Sequence, residues 1–451
     1  MTTESRHVIA VIGAATAGSE IAHVLVARGA LVVVFEQNAR PYGKIEDGLP
    51  RWHAQQRRDE YEEINRRLDH AGIEYIPLTR MGVHLDFEEL RYGWGLSGIV
   101  LTHGAWRDRP FPVTAADEYV GRGLIYQNPL IYWFNHHVER GYDGLRYDLP
   151  PGGIVIGGGL ASIDVVKVLQ LETAIAALRR RGIDADMMQL EREGIDGVLR
   201  RHQLEWSMLG VASCRLFYRR RVLDMPLSDI PPDAPPRRAE ALRQARAKIL
   251  DKAQRKYLFE FEDRRVPNEV IVENERLVGL MLGRTEVVDG KARRLPGTDE
   301  AVHGPFVISS IGSIPESIPG IPQQGEVYEY VDALSGLLMD GPTRVYAAGN
   351  VLTGKGNIKD SLDSATEVGT LIAERYLGLA DDGAPAPLAE GARAAVNQTA
   401  NHIAVSVAAR AKLNDEVVTR ILERVRVRQR QVGYDGDYRG WIKRVTPPDL
   451  G

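Results

Sequence analysis

Two short glycine-rich segments carry the residue types that cradle phosphates. The first is Gly13-Ala14-Ala15-Thr16-Ala17-Gly18 and the second is Gly157-Gly158-Gly159-Leu160-Ala161-Ser162. In the G-x-G-x-x-G pattern the first glycine permits a tight turn. The middle one lets the backbone approach a pyrophosphate, and the last lets helix and strand pack closely. Amides at the start of the following helix then face the phosphates, and the helix dipole favours their negative charge. Ala15 stands at the middle position of the first segment, where its methyl takes up room, and Ser162 closes the second. Glu36 ends the next apolar run, where a carboxylate can accept hydrogen bonds from ribose hydroxyls. Arg219, Arg220 and Arg221 follow the apolar run that comes after the second segment. Guanidinium groups there select a ribose 2′-phosphate by bidentate hydrogen bonding, whereas an acid selects the free hydroxyl. The triplet therefore points to NADP(H) over NAD(H); the competing reading is a solvated arginine run.

The elements around these segments are of the kind that position them. Val8–Ile12 reads as a buried strand, residues 18–28 as a helix and residues 31–36 as the next strand. A second such unit has its strand at residues 154–156, its helix at 162–171 and its next strand at 215–218. Residues 54–70 read as a charged amphipathic helix, and 172–210 as an Arg- and Glu-rich helical insertion. Four prolines between 231 and 236 mark a loop, followed by a helix over 237–256. Residues 268–311 alternate as strands and turns, 345–349 is a buried strand, and 361–376 a helix. A linker is expected over Asp381–Pro387, then helix to about Val432 and irregular chain around Trp441. The fold class expected is α/β, with two Rossmann-type, three-layer nucleotide-binding domains. Two turns in this order predict FAD on the first and a pyridine nucleotide on the second.

The 451 residues suffice for two or three domains, and 44% apolar with 26% charged residues is ordinary for a globular protein. A formal charge of −4 gives no nucleic-acid signal. No long uninterrupted apolar run is present, so no membrane span is expected. The polar start, Met1 to His7, lacks the basic and uniformly apolar blocks of a signal peptide, and a cytoplasmic location is expected. The single cysteine, Cys214, excludes a disulfide framework, a Cys-x-x-Cys pair or a cysteine-ligated cluster within these residues, and is expected to be buried and inert. His103, His136 and His137 show no carboxylate or cysteine spacing suited to a metal, and none is expected. Arg57, Arg58, Arg66 and Arg67 on the 54–70 helix are either a stripe that steers an acidic protein or a solvated face.

Further segments carry a resemblance. Pro41-Tyr-Gly-Lys-Ile-Glu-Asp-Gly-Leu-Pro-Arg-Trp-His53, Ile99 to Ala105, Trp133-Phe-Asn135, Tyr218-Arg-Arg220 with Met225-Pro226, Val307 to Pro315, Ala348-Gly-Asn350 with Gly354 to Ile358, and Tyr438-Arg-Gly-Trp441 all contribute. Together with the two turns they resemble the adrenodoxin reductase-like ferredoxin–NADP reductases and the small subunit of glutamate synthase. The resemblance covers nearly the whole chain. It implies that the NADP domain is inserted into the FAD domain: an FAD-binding domain over 1–114 and 331–380, an NADP(H)-binding domain over 115–330, and a helical C-terminal extension over 381–451.

The resemblance also implies residue roles. Gly13, Ala15, Gly18, Glu36 and Gly43 belong to the FAD site, with Gly349 and Asn350 at the pyrophosphate and ribityl chain and Gly356 and the Ile358 amide near the flavin pyrimidine edge. Gly157, Gly159, Ser162, Arg219 and Arg220 hold NADPH, and His53 lies near the active centre. Lys44 and Glu46 depart from the family's Leu and Arg; a carboxylate beside reduced flavin lowers its potential or disfavours an acidic partner. Asn350 stands where many relatives carry Asp. The implied activity passes electrons from NADPH through FAD to a ferredoxin-like carrier. The alternatives are an electron-transfer subunit feeding a partner enzyme, and a flavoprotein with altered or lost turnover.

Overall fold

The computed structural model describes residues 6–231, 233–379 and 410–447. The linker expected over Asp381–Pro387 lies outside these residues. The chain forms two compact units. The first comprises Met1–Glu46, Ala54–Arg107 and Ile314–Gly451, and the second Asp47–His53 and Asp108–Ser313. These crossings fall earlier than the expected 114/115 and 330/331. The reason is packing: Phe111 and Val113 are buried with Leu124 and Ile154 in the second unit, whereas Ile318, Ile321 and Tyr328 are buried in the core of the first. Among the described residues no helix is long and apolar enough to cross a membrane.

The first unit is built on a six-stranded sheet. Its order is Leu337–Met339, Arg344–Ala347, Gly98–Leu101, Val8–Ile12, Leu31–Phe35, Ile73–Ile76. All neighbours pair in parallel except the antiparallel edge strand Leu337–Met339. The runs Val8–Ile12 and Leu31–Phe35 are buried at every residue, as a parallel sheet covered on both faces requires. Ile9, Val11, Val32 and Val34 face Ile21, Ala22 and Leu25 of helix Thr16–Ala27 and Val368 and Ile372 beyond it. On the other face Val8, Ala10 and Val33 meet Phe87, Trp94 and three residues of helix Asp415–Gln431: Val418, Ile421 and Val425. That 3-and-4 spacing is the apolar stripe of an amphipathic helix.

Three first-unit elements differ from the sequence reading. The chain around Trp441 is a helix, Tyr438–Val445, capped by the Asp437 side chain accepting from the Gly440 amide, and Trp441 is buried while its indole Nε1 donates to Ala39 O at 2.8 Å. The helix read at 361–376 begins at Ile358 and ends in a π-turn over Ile372–Tyr376. Helix Ala54–Leu68 is not a uniformly solvated basic face either. Arg57 and Arg67 are buried, Arg57 donating to Tyr61 Oη at 3.1 and 3.0 Å and Arg67 paired with Glu20 at 2.9 Å. Two of the four arginines are thus withdrawn from any docking stripe.

The second unit holds a parallel five-stranded sheet in the order Leu124–Tyr126, Val307–Ser310, Ile154–Gly157, Arg215–Tyr218, Glu260–Asp263. A separate antiparallel sheet is built on the long hairpin Arg265–Glu273 and Arg276–Val288. The expected insertion does not begin at 172. Helix Leu160–Arg179 runs on without a Gly or Pro break, because Ala174, Ala177 and Leu178 are buried in the unit's main cluster. Two short helices follow, Met187–Glu193 and Ile195–Arg201.

In the first unit Gly369 lets helix Ile358–Leu371 lie against helix Thr16–Ala27. A Cβ at Gly369 would sit 3.0 Å from Ile21 and 3.1 Å from Val24. Gly369→Leu is expected to lower unfolding free energy by about 1–3 kcal/mol through overpacking. Chemical denaturation checks it, and an unchanged midpoint would contradict the close packing.

Candidate functional site

The first turn is formed as the glycine spacing requires. Gly13 has φ +97°, a conformation that glycine adopts readily. A Cβ at Gly18 would lie 1.8 Å from Gly13 O, so only glycine lets helix and turn close here. Thr102 clamps the turn, its Oγ1 donating to Ile12 O at 2.9 Å and Gly13 O at 2.7 Å. Glu36 is buried and accepts from the Ala14 amide through Oε2 and the Asn38 amide through Oε1, both at 2.9 Å. Each carboxylate oxygen has further lone pairs for ribose hydroxyls.

The remaining first-unit residues gather at this end of the sheet. Gly349 has φ +68°, and a Cβ on it would sit 2.6 Å from Ala17 Cβ; its amide donates to Ser364 Oγ at 3.0 Å. Asn350 opens the short helix that follows, and Gly356 lies near it, 3.7 Å separating its Cβ position from Asn350 Nδ2. Asn357 caps helix Ile358–Leu371 through its side chain, with Ile358 as its first residue. Gly43, at φ +50°, backs onto Ala15: a Cβ there would be 2.9 Å from the Ala15 methyl. The departure at Ala15 therefore has its space provided by Gly43.

The second turn is held by serines. A Cβ at Gly157 would meet Ser162 Oγ at 2.2 Å and Ser310 O at 2.3 Å, and one at Gly158 would meet the Tyr218 ring at 2.2 Å. Ser162 Oγ donates to Ser310 O at 3.0 Å. Gly159 has open space on its Cβ side, with Pro226 the nearest group at 4.0 Å, and Leu160 is exposed. Beyond strand Arg215–Tyr218, Arg220 is engaged: Nε donates to Tyr218 Oη at 2.9 Å, and its other nitrogens reach carbonyls of Gly290 and Asp224 at 3.4 Å. Arg221 pairs with Asp224 at 2.9 Å. The Arg219 guanidinium is exposed, and no hydrogen bond or ion pair ties it to the described residues. The triplet read as one basic group thus divides into a structural pair and one available cation.

Both turn helices share a property. Helix Thr16–Ala27, capped at Ala15, and helix Leu160–Arg179, capped at Gly159, have no side-chain cap. Helices capped at Asp186, Asn357, Asn414 and Asp437 do. Their first-turn amides thus have no side-chain cap, as is also true of helices Gln127–His136 and Pro236–Tyr257, and the Ser162 amide bonds Gly159 O at 3.0 Å; what sets the two apart is the glycine turn that precedes each.

His53 sits in the second unit, its Nε2 4.0 Å from Asp164 Oδ1. Glu46 does not offer a free carboxylate: it is buried and paired with Arg40 at 2.7 Å. The carboxylate expected to act on a flavin thus carries its own counter-charge. Lys44 Nζ lies 5.7 Å from the Trp106 ring centroid. Cys214 is buried just before its strand rather than in it, and burial pushes its thiol up out of the reactive range. His103 is half-buried, and desolvation of its ring pushes its pKa down to about 4. His136, read as having no carboxylate spacing, sits between Glu139 at 2.7 Å and Asp47 at 3.0 Å. Glu139, three residues on, was visible in the sequence; Asp47 comes from a distant segment and was not. Thr102, Ser364 and Ser310 were also missed, since their roles depend on strand ends meeting. Among the described residues no group of three or more His, Cys, Asp or Glu is placed to hold a metal.

The solved structures of FprA from Mycobacterium tuberculosis superpose on this architecture. One, in complex with NADPH, covers 94% of this chain and 91% of its own, with a TM-score of 0.66 and 16% identity. Another, described as an oxidoreductase with a covalently modified NADP+, has a TM-score of 0.67 and 16% identity over the same shares. The likeness to these structures is one of fold. The small chain of NADPH glutamate synthase from Mycobacterium tuberculosis is 30% identical to this chain over 180 residues, 37% of this chain. The chain spans about a third of that relative's length, 34%. No protein-family model matches the chain.

Two predictions follow from the geometry. Arg219→Ala is expected to weaken NADPH binding on the order of tenfold to hundredfold and leave NADH binding unchanged; equal loss for both nucleotides, in a binding titration, would contradict the role of the exposed guanidinium. His136 is held above its ordinary 6.5: burial pushes it down, but the hydrogen bonds and charges of Asp47 and Glu139 more than offset that. Because the folded value is raised, its contribution is fully present below about pH 6.5 and is lost as pH rises through the folded value. Unfolding free energy should therefore fall more for the native protein than for His136→Gln above that pH, and parallel curves would contradict it.

Proposed function

We propose that this chain binds FAD on its first unit and NADPH on its second, takes hydride from NADPH, and passes electrons to a separate protein. The observation that carries the reading is the pair of uncapped glycine-turn helices, with an exposed arginine after the second. FAD, when bound, accepts hydride and gives its electrons up singly. The NADPH named in the FprA complex and in the glutamate synthase relative supports the nucleotide.

In this reading the chain's own residues mainly bind and orient. Amides beyond Gly13, Ala15 and Gly18 would hold the FAD pyrophosphate, with Gly349 and Asn350 at the pyrophosphate and ribityl chain. Glu36 accepts from the ribose, Gly43 makes room beside the turn, and Gly356 and the Ile358 amide bind the pyrimidine edge. Gly157, Gly159 and Ser162 form the NADPH pyrophosphate turn. Arg219 would take the 2′-phosphate, and Arg220 holds the neighbouring Tyr218 hydroxyl. His53, with Nε2 4.0 Å from Asp164 Oδ1, would hold a proton near the active centre. Orientation of two bound nucleotides supplies most of the rate, so little acid–base chemistry is required.

The electron acceptor is a ferredoxin-like carrier or the partner subunit of a larger enzyme. The single cysteine, Cys214, is buried and offers no cysteine relay, which supports an external acceptor. Anaerobic titration of the purified protein with NADPH and then NADH tests the reading. NADPH should bleach the flavin absorbance, and NADH should do so only at higher concentration. A flavin that stays yellow with both nucleotides would favour a flavoprotein without turnover, the reading that the altered loop at Lys44 and Glu46 keeps open.

A further inference from the structure

Seven residues, Asp47–His53, leave the first unit after Glu46 and pack with the second. Each end and the middle of this strap is held there. Asp47 meets His136 at 3.0 Å. Asn135 donates through Nδ2 to Leu49 O at 3.0 Å and accepts the Arg51 amide through Oδ1 at 2.9 Å. Trp52 packs on Phe134, ring centroids 5.1 Å apart. Its other neighbour is a cation. Lys167, on helix Leu160–Arg179, is buried, with Nζ 4.4 Å from the Trp52 ring centroid. The same ammonium lies 3.1 Å from Glu191 and 3.5 Å from Asp164, and Tyr257 Oη donates to Glu191 Oε1 at 2.9 Å. Asp164 is in turn the carboxylate nearest His53 Nε2, at 4.0 Å.

A buried ammonium is costly unless its charge is met. Here it is met by two carboxylates and an aromatic face, a desolvated cation–π contact of the stronger kind. The side chain that touches Trp52 also touches the carboxylate facing His53. We propose that Lys167 is a positioning residue: it pins the strap through Trp52 and orients Asp164, so fixing the His53 ring for the reaction. This rests on the reading of His53 as an active-centre group. The anchor itself, however, has a readout that needs no turnover.

That readout is amide hydrogen exchange. In Lys167→Met, protection of the Arg51 amide, bonded to Asn135, and of the His53 amide, bonded to Pro50 O at 2.9 Å, should fall. Protection of the central strands of the second unit should stay unchanged. In stopped-flow mixing with NADPH, the flavin-reduction rate constant should fall on the order of tenfold to hundredfold with NADPH affinity held, as a misplaced group costs rate rather than binding. Lys167→Arg, which keeps the cation, should restore most of both. If Lys167→Met does not fold, Trp52→Leu removes the same contact and makes the same comparison. Unchanged strap protection, or a loss spread evenly over the unit, would overturn the proposal. Lost strap protection in a native protein whose flavin NADPH never reduces would leave the anchor standing and sink the functional reading instead.

Discussion

Gly18 has no room for a methyl. Its Cβ position lies 1.8 Å from the carbonyl of Gly13, and that contact lets the helix start directly over the end of the first strand. The same constraint recurs in the second unit, where the Gly157 Cβ position is crowded by Ser162 and Ser310. In both places the helix begins without a side-chain cap, so its first-turn amides are aimed at whatever lies beyond the strand ends. The parallel sheets, their covering layers and the clamps at Thr102 and Ser364 all serve to hold those amides in place. Phosphate is the natural occupant, because it supplies several acceptor oxygens and negative charge to a positive dipole end.

The two units are specialised by small differences around this shared device. In the first, Glu36 is buried at the end of the second strand and organises the turn through two amides. In the second, the equivalent strand end carries arginines, and only Arg219 among the triplet is left without a bond to the described protein. One strand end presents a buried carboxylate; the other presents an exposed guanidinium. Two departures from the expected pattern are likewise compensated locally. Ala15 is matched by Gly43, and Glu46 is matched by Arg40.

Much of this was legible in the sequence because glycine spacing and apolar runs are local signals. Both βαβ units, the acid at Glu36 and the arginines after Tyr218 were readable from neighbours a few residues away. What was not readable depends on distant segments meeting. Helix Leu160–Arg179 outran its expected end because the burial of Ala174 and Leu178 is decided by the layers around it. Trp441 lies in a helix because Asp437 caps it and the indole finds Ala39 O. The membership of Asp47–His53 in the second unit had no sequence signal, since its partners are Asn135, His136, Asp164 and Lys167. Arg57 and Arg67 misled for the same reason: their charges look solvated until Tyr61 and Glu20 are placed beside them.

The central claim is that the uncapped helix starting at Thr16 holds the pyrophosphate of FAD. The most direct measurement is calorimetric melting of the purified protein with and without added FAD, alongside the absorbance spectrum of the released chromophore. The account predicts a yellow protein, or a colourless one whose melting temperature rises with FAD concentration, and loss of that rise in Gly18→Val. A colourless protein whose melting temperature ignores FAD would contradict it.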